Sequence, residues 1–235
     1  MKKKENKHCK ECKIQLTNIF SNLTLPELDQ IIINKSCAFY KKGEIIYNQG
    51  NFLHGFYCIE QGIVKIYKIG PKGKKQIIKL AKKGDIFGYR SVLSKEQACT
   101  TAEVLEDTIV CQISSDTLFE MIHQNPQFSI SVMRLACEEL GDANSYIADL
   151  AQKSVKERTA ELILKLENDF GTDENGYIKI LLTREDLSEI VGTATESFIR
   201  TLTELKNKNL IETKGKRIKI LNRNKLNHIA KGLEQ

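Results

Sequence analysis

The feature that most constrains this chain is its punctuation between Ser36 and Ser114. Short β-branched and aromatic stretches are broken about every 8 to 12 residues by turn signals, the rhythm of a small all-β barrel or sandwich. The breaks are Lys42-Gly43-Glu44, Gln49-Gly50-Asn51, Gln61-Gly62, Gly70-Pro71-Lys72-Gly73 and Lys83-Gly84-Asp85. Between them run Ile63 to Ile69, Gln76 to Leu80 and Ile109 to Ile113. Alternation in the first of these is imperfect, with apolar groups on both faces at one end. Antiparallel hairpins closed into a barrel fit this pattern best.

From about Ser115 to Phe170 the texture turns helical. Gly141 is the only glycine between Ser115 and Phe170, and Pro126 stands where it can open a new helix. Met133, Ala136, Leu140, Ala143, Ile147 and Leu150 recur at alternating steps of three and four, the spacing of a two-helix seam. Two readings are open: a dimer interface with a second copy, or a helix packed back on its own barrel. A small barrel offers nothing long enough to bury such a stripe, so we expect a homodimer. From about Val155 the chain holds a helix (Lys156 to Asp169), a loop (Gly171 to Gly176), a short strand (Tyr177 to Leu181), then helix, turn, helix and hairpin.

Thr183 followed by Asp186 reads as a helix N-cap with a carboxylate three residues on, ahead of Leu187, Ile190 and Val191. Val191-Gly192-Thr193 forms a tight turn, and Ala194 to Lys206 a second helix with Phe198, Ile199, Leu202 and Leu205 as its apolar side. Leu210 to Ile220 is a hairpin turning at Gly215, so the helix-turn-helix carries a wing. Charge converges here. The whole chain is +6, whereas Arg200 to Lys225 alone holds nine basic against two acidic residues, +7. A cluster of that kind is the electrostatic footprint of phosphate binding.

These segments resemble the CRP/FNR family of bacterial transcription regulators. In the barrel the resemblance rests on Lys42-Gly43-Glu44, on Tyr57-Cys58-Ile59-Glu60-Gln61-Gly62-Ile63-Val64-Lys65 and on Gly84-Asp85-Ile86-Phe87-Gly88. Near the C-terminus it rests on Thr183 to Gly192 and Thr195-Glu196-Ser197-Phe198-Ile199-Arg200. It implies an α+β architecture: an N-terminal cysteine-containing segment (1–20), a cyclic-nucleotide-binding-like β-barrel or double-stranded β-helix (21–125), a dimerisation helix (126–152) and a winged helix-turn-helix DNA-binding domain (153–235). It also implies a cytoplasmic homodimer that binds double-stranded DNA and RNA polymerase, with no membrane role.

Four residues apart on a helix, Glu196 and Arg200 face one groove and can brace each other. Arg200 can donate twice to guanine while Glu196 accepts from cytosine N4. The competing readings are a capping box of Glu196 with Thr193 and a phosphate contact for Arg200. Thr195, Ser197 and Ile199 are the expected flanking contacts, Arg184, Lys214, Lys216 and Arg217 the expected phosphate clamps, and Thr183 and Thr193 further expected DNA-binding residues.

Relatives that bind cyclic AMP pair a Gly-Glu with an Arg-Ser. Aligned on Gly88, this chain has Tyr89 for the Glu and Cys99-Thr100 for the Arg-Ser, which argues against cyclic AMP because a buried phosphate would lack its guanidinium. Gly88, Tyr89, Arg90, Cys99 and Thr100 define the expected effector pocket. The family's other sensor is an iron-sulfur cluster on an N-terminal cysteine segment plus one barrel cysteine. His8-Cys9-Lys10-Glu11-Cys12 resembles that segment and Cys111 lies in the matching strand, but the third N-terminal cysteine is missing. Cys37 is the best stand-in, with His8 or an acidic side chain behind it. Three readings of Cys9, Cys12 and Cys111 are open: an iron-sulfur or zinc site, a reversible thiol-disulfide pair, or no ligand role. Cys58, Cys99 and Cys137 read as packing or incidental residues.

Seven cysteines at irregular spacing do not make a disulfide-stapled secreted domain, and no apolar run approaches the ~18 residues of a membrane span. Neither a Gly-x-x-x-x-Gly-Lys-Ser/Thr loop nor a His-Glu-x-x-His motif is present, so we expect no enzyme. The alternative to a regulator is a non-enzymatic small-molecule or nucleotide sensor of the same fold.

Overall fold

The computed structural model describes residues 18–233, and the chain divides into two compact units after Leu140. In the first, a 3-10 turn (Asn18–Phe20) leads into α1 (Leu25–Asn34), followed by β1 (Lys35–Tyr40), β2 (Ile45–Tyr47), β3 (Gly55–Gln61), β4 (Val64–Ile69) and β5 (Lys75–Ala81). Next come β6 (Ile86–Phe87), α2 (Tyr89–Ser94), β7 (Thr101–Val104), β8 (Thr108–Ser114) and α3 (Ser115–Gln124). A long helix, α4 (Pro126–Gln152), begins in this unit and ends in the second.

The expected closed barrel is instead two four-stranded antiparallel sheets, β1-β8-β3-β6 and β2-β7-β4-β5. Closure fails because each sheet has a very short edge strand, two residues in β6 and three in β2. These carry too few ladder bonds to join the sheets. Tyr47, Val64, Ile66 and Ala102 from one sheet pack with Tyr57, Ile59, Phe87 and Val110 from the other, forming the first core.

A second core lies on the outer face of the first sheet, where Phe56, Cys58, Ile86 and Ile113 meet Phe20, Leu28, Ile31, Leu118, Met121 and Phe128. With both faces covered, β3 is buried from Gly55 to Ile59, which is why strict alternation fails there. In β4 the run Val64 to Tyr67 is wholly buried, and Lys65 survives burial by pairing with Glu103 at 3.0 Å. Gly62 closes the β3–β4 turn at φ +93°; a Cβ there would lie 2.2 Å from Thr108 Oγ1, so no other residue fits.

Pro126 opens α4 as its sequence position suggests, and Asn125 Oδ1 accepts from the Phe128 N–H at 2.9 Å. Phe128 and Val132 bury one face. On the other, Met133 (58%), Leu140 (62%), Ile147 (64%) and Leu150 (40%) are exposed together with Ala136 and Ala143. Within the first unit, Met133, Ala136 and Leu140 do not pack back on the sheets.

The second unit continues from α4 into α5 (Val155–Phe170), α6 (Arg184–Val191), α7 (Thr195–Asn207), β9 (Ile211–Lys214), β10 (Arg217–Ile220) and α8 (Arg223–Ala230). Ser154 and Glu157 form a capping box on α5. The expected strand from Tyr177 to Leu181 is not one. Only isolated bridges form there, Thr172 with Ile178 and Tyr177 with Lys219. The segment's backbone bonds are divided among partners instead: the Tyr177 N–H donates to Asp173 Oδ1 at 2.9 Å, the Lys179 N–H to the Gly171 carbonyl and the Ile178 N–H to the Ile218 carbonyl. The terminal helix α8 was not among the expected elements. Its packing on α5 through buried Leu226 and Ile229 adds the last piece of this core.

Candidate nucleic-acid interface

The reading helix owes its stance to its neighbours. Thr183 Oγ1 accepts from the Asp186 N–H at 3.0 Å while Asp186 accepts from the Thr183 N–H at 3.0 Å, closing the capping box at the start of α6. Gly192, at φ 72°, then ends α6 in the left-handed region that L side chains avoid. The Ser188 and Thr195 hydroxyls meet at 3.0 Å and tie α6 to α7. Phe198, Leu202 and Leu205 bury the inner side of α7.

Ile199 does not join that inner side; it is 45% exposed. Glu196 and Arg200 are exposed one turn apart on the same outer surface, and neither has a hydrogen-bond or ion-pair partner among the described residues. They do not brace each other in the free protein. The N-cap of α7 is Ala194, with no side-chain capping bond, so the alternative capping box of Thr193 with Glu196 does not form. Thr195 and Ser197 are half-buried beside them.

The wing brings Lys214, Lys216 and Arg217 around Gly215, whose φ of 58° makes the tight turn. They line a groove of about 690 Å³ with Asn175, Tyr177, Glu212 and Lys219. The basic charge of the stretch from Arg200 to Lys225 is partly spent internally. Arg217 pairs with Asp173 at 3.3 Å, Lys208 with Glu204 at 3.4 Å, and Arg223 with Glu167. Lys214 and Lys216 stay exposed. Arg184, expected among the phosphate contacts, points to the wing turn instead: Nη2 donates to the Gly215 carbonyl at 2.8 Å. Its Nη1 is buried without a partner, and burial pushes the guanidinium pKa down. Sequence reasoning missed Arg158, whose Nε donates to the Val191 carbonyl at 3.0 Å and supports the end of α6; no local pattern around it announces that contact.

In the first unit the expected effector residues come together. Gly88 caps α2 in the left-handed region, and Tyr89 OH donates to Glu139 Oε2 at 2.7 Å while Lys79 Nζ reaches Glu139 Oε1 at 2.6 Å. Burial and that bond to a carboxylate drive the Tyr89 phenol pKa upward. Arg90 Nη1 lies 3.0 Å from Cys99 Sγ and its Nη2 3.2 Å from Glu96. Thr100 Oγ1 is 3.5 Å from Tyr47 OH. Behind them the Tyr57 ring stacks on those of Tyr47 and Phe87 at 5.6 and 5.3 Å, and Tyr47 and Phe87 meet tilted at 6.1 Å, filling the space between the sheets. Burial there raises the Tyr57 phenol to about 12.

Of the candidate metal ligands, Cys9, Cys12 and His8 lie outside the described residues. Cys37 and Cys111 are brought together across β1 and β8 and are joined as a disulfide. A four-thiolate cluster needs them as two separate ligands, so the bonded form does not fit such a group, and no step is derived through one.

Comparison with known proteins decides the family. Residues 38–125 match the cyclic nucleotide-binding domain and residues 157–229 the Crp-like helix-turn-helix domain. The electron transport regulator A of Shewanella oneidensis is 31% identical over 229 residues, covering 95% of this chain and 90% of that protein. The chain belongs to the CRP/FNR family. The fumarate and nitrate reduction regulatory protein of Escherichia coli K12 is 29% identical, again over 95% of this chain and 90% of its own length. Among solved structures, FixK2 from Bradyrhizobium japonicum shares the fold, with a TM-score of 0.74 at 24% identity over 83% of this chain and 96% of that one. As a CRP/FNR protein the chain is a DNA-binding transcription regulator. Among its described residues no helix is long and apolar enough to cross a membrane.

Proposed function

We propose that this CRP/FNR protein reads a pseudo-palindromic duplex as a homodimer, with Glu196 and Arg200 specifying bases and the wing holding the backbone. The observation that carries this is the split of α7: Phe198, Leu202 and Leu205 are buried, while Glu196, Ile199 and Arg200 stand free on the opposite side. A helix anchored so firmly on one side presents the other at fixed geometry. Arg200 donates to guanine O6 and N7, Glu196 accepts from cytosine N4, and Ile199 lies against a thymine methyl group. Lys214 and Lys216 neutralise phosphates. Arg184 acts one step removed, by fixing the turn that carries those lysines.

Two such helices enter major grooves about 34 Å apart. Met133, Ala136, Leu140, Ala143, Ile147 and Leu150 supply the seam between protomers. The regulator works in the cytoplasm without catalysing a reaction, engages RNA polymerase when bound, and takes a redox or oxygen signal, in keeping with relatives named for electron transport and for fumarate and nitrate reduction.

The test is gel retardation of a pseudo-palindromic duplex selected from a random pool, across a salt series. Binding that weakens linearly in log salt is expected. No shift at any salt, with a folded protein, overturns the reading in favour of a sensor module.

A further inference from the structure

The register of the first sheet sets three cysteines in one row. Cys37 on β1 stands opposite Cys111 on β8, and Cys111 stands opposite Cys58 on β3, so all three project from the same face. Cys37, Cys111 and the Glu60 carboxylate offer ligand atoms within 4.8 Å of one another, and Glu60 Oε2 is 3.8 Å from Cys111 Sγ. Burial differs among the three residues: Cys111 is 1% exposed and Cys58 3%, whereas Cys37 is half-buried.

Lys35 precedes Cys37 by two residues, on the same face and about 6.6 Å along the strand. It is 9% exposed, and its ammonium has no hydrogen-bond partner among the described residues. A DNA-binding regulator also works where thiols are kept reduced, and disulfides in such compartments report redox state rather than staple a fold.

We propose that Cys37 and Cys111 are a reversible redox pair, oxidised by hydroperoxides and reduced by low-molecular-weight thiols, and that its state controls DNA binding. The control half rests on the regulator reading above. In oxidation the Cys37 thiolate attacks the peroxide O–O bond, giving a sulfenic acid and, with one proton, water. The Cys111 thiol then attacks that sulfur, the S–S bond forms and a second water leaves; two thiols and one hydrogen peroxide become one disulfide and two waters. In reduction an external thiolate attacks the sulfur of half-buried Cys37 and expels Cys111 as thiolate. A second external thiolate takes the first as a disulfide and frees Cys37.

The pair sits where a change of state is felt. Lys35 directly follows α1, and Cys111 lies three residues before Ser114, the N-cap of α3. Both helices pack on the second core, so the bond ties together the strands that carry them.

The experiment treats the full chain, reduced under nitrogen, with hydrogen peroxide, then alkylates with iodoacetamide and maps peptides by mass. The wild type is expected to lose two alkylations and yield one peptide pair joining β1 to β8, reversed by excess dithiothreitol. Cys37→Ser, at a partly exposed position, is expected to yield no such pair while keeping the thermal midpoint of the reduced wild type. Three results overturn the redox pair: both sulfurs staying alkylatable after peroxide, linkage of either to Cys9 or Cys12 instead, or stoichiometric metal in the anaerobic protein that Cys37→Ser loses. In gel retardation the reduced and oxidised wild type are expected to differ at least fivefold in affinity, and Cys37→Ser to show no difference. Equal affinities overturn the control half alone. A chain that binds no duplex in either state counts against the regulator reading, whereas the peptide map still decides the pair.

Discussion

Arg200 and Lys216 are both exposed cations in the same unit, and they are expected to fail differently. Arg200→Ala removes a two-pronged base contact and should cost ~1 to 3 kcal/mol on the preferred site while relaxing preference at one base pair. Lys216→Ala removes one phosphate contact from each protomer. It should weaken all sequences alike and make the salt slope on the palindrome shallower by roughly 1.8, about 0.9 per half-site. Retardation on single-base variants across a salt series checks both, and identical behaviour would mean the base contact is misassigned. That Glu196 and Arg200 share one exposed face is legible in sequence because one helical turn is local geometry. Cys37 and Cys111 are not legible as a bonded pair. They are 74 residues apart, and only the register of β1 on β8 brings them together. Arg184 shows the same limit: its charge suggested a phosphate, but its neighbour at 2.8 Å is the wing carbonyl of Gly215, far along the chain.

At the level of elements, the starts and stops of helices were the most readable features, because caps depend on residues three or four positions away. Thr183, Pro126 and Gly192 each act where the sequence places them. Strands were read less well. Tyr177 to Leu181 has the composition of a strand, yet no neighbour offers a continuous ladder, and composition carries no information about a partner. The caps of α6 lead to a stability prediction. Thr183→Ala should cost ~1 kcal/mol by losing the capping oxygen, and Gly192→Ala ~1 to 2 kcal/mol by forcing a side chain into the left-handed region. Urea denaturation should show both as a lower midpoint with an unchanged slope. Because Gly192 also sets the angle of α7, its variant should lose DNA affinity even in conditions where it is fully folded.

For the whole molecule, the exposed stripe on α4 joins sequence to function. Met133, Leu140, Ile147 and Leu150 lie uncovered along one side of a helix whose other side holds Phe128 and Val132 in the core. A single domain rarely leaves four large apolar groups in a line unless another surface covers them. Covering each fully stabilises by up to ~1.5 to 3 kcal/mol, so a two-fold seam that uses the stripe twice outweighs the entropy of association. Leu140→Glu and Ile147→Glu bury like charges across a two-fold axis, where each residue approaches its own copy or a near neighbour. Light scattering should find these variants monomeric at concentrations where the wild type is dimeric. The DNA consequence follows from linkage: in a dimer the second half-site binds at an effective concentration near millimolar, worth about 10² to 10⁴ in apparent affinity. The monomeric variants should lose that factor on the palindrome and bind a single half-site as well as the wild-type protomer does. A variant that is monomeric yet still binds the palindrome at full strength would place the dimer seam elsewhere on the molecule.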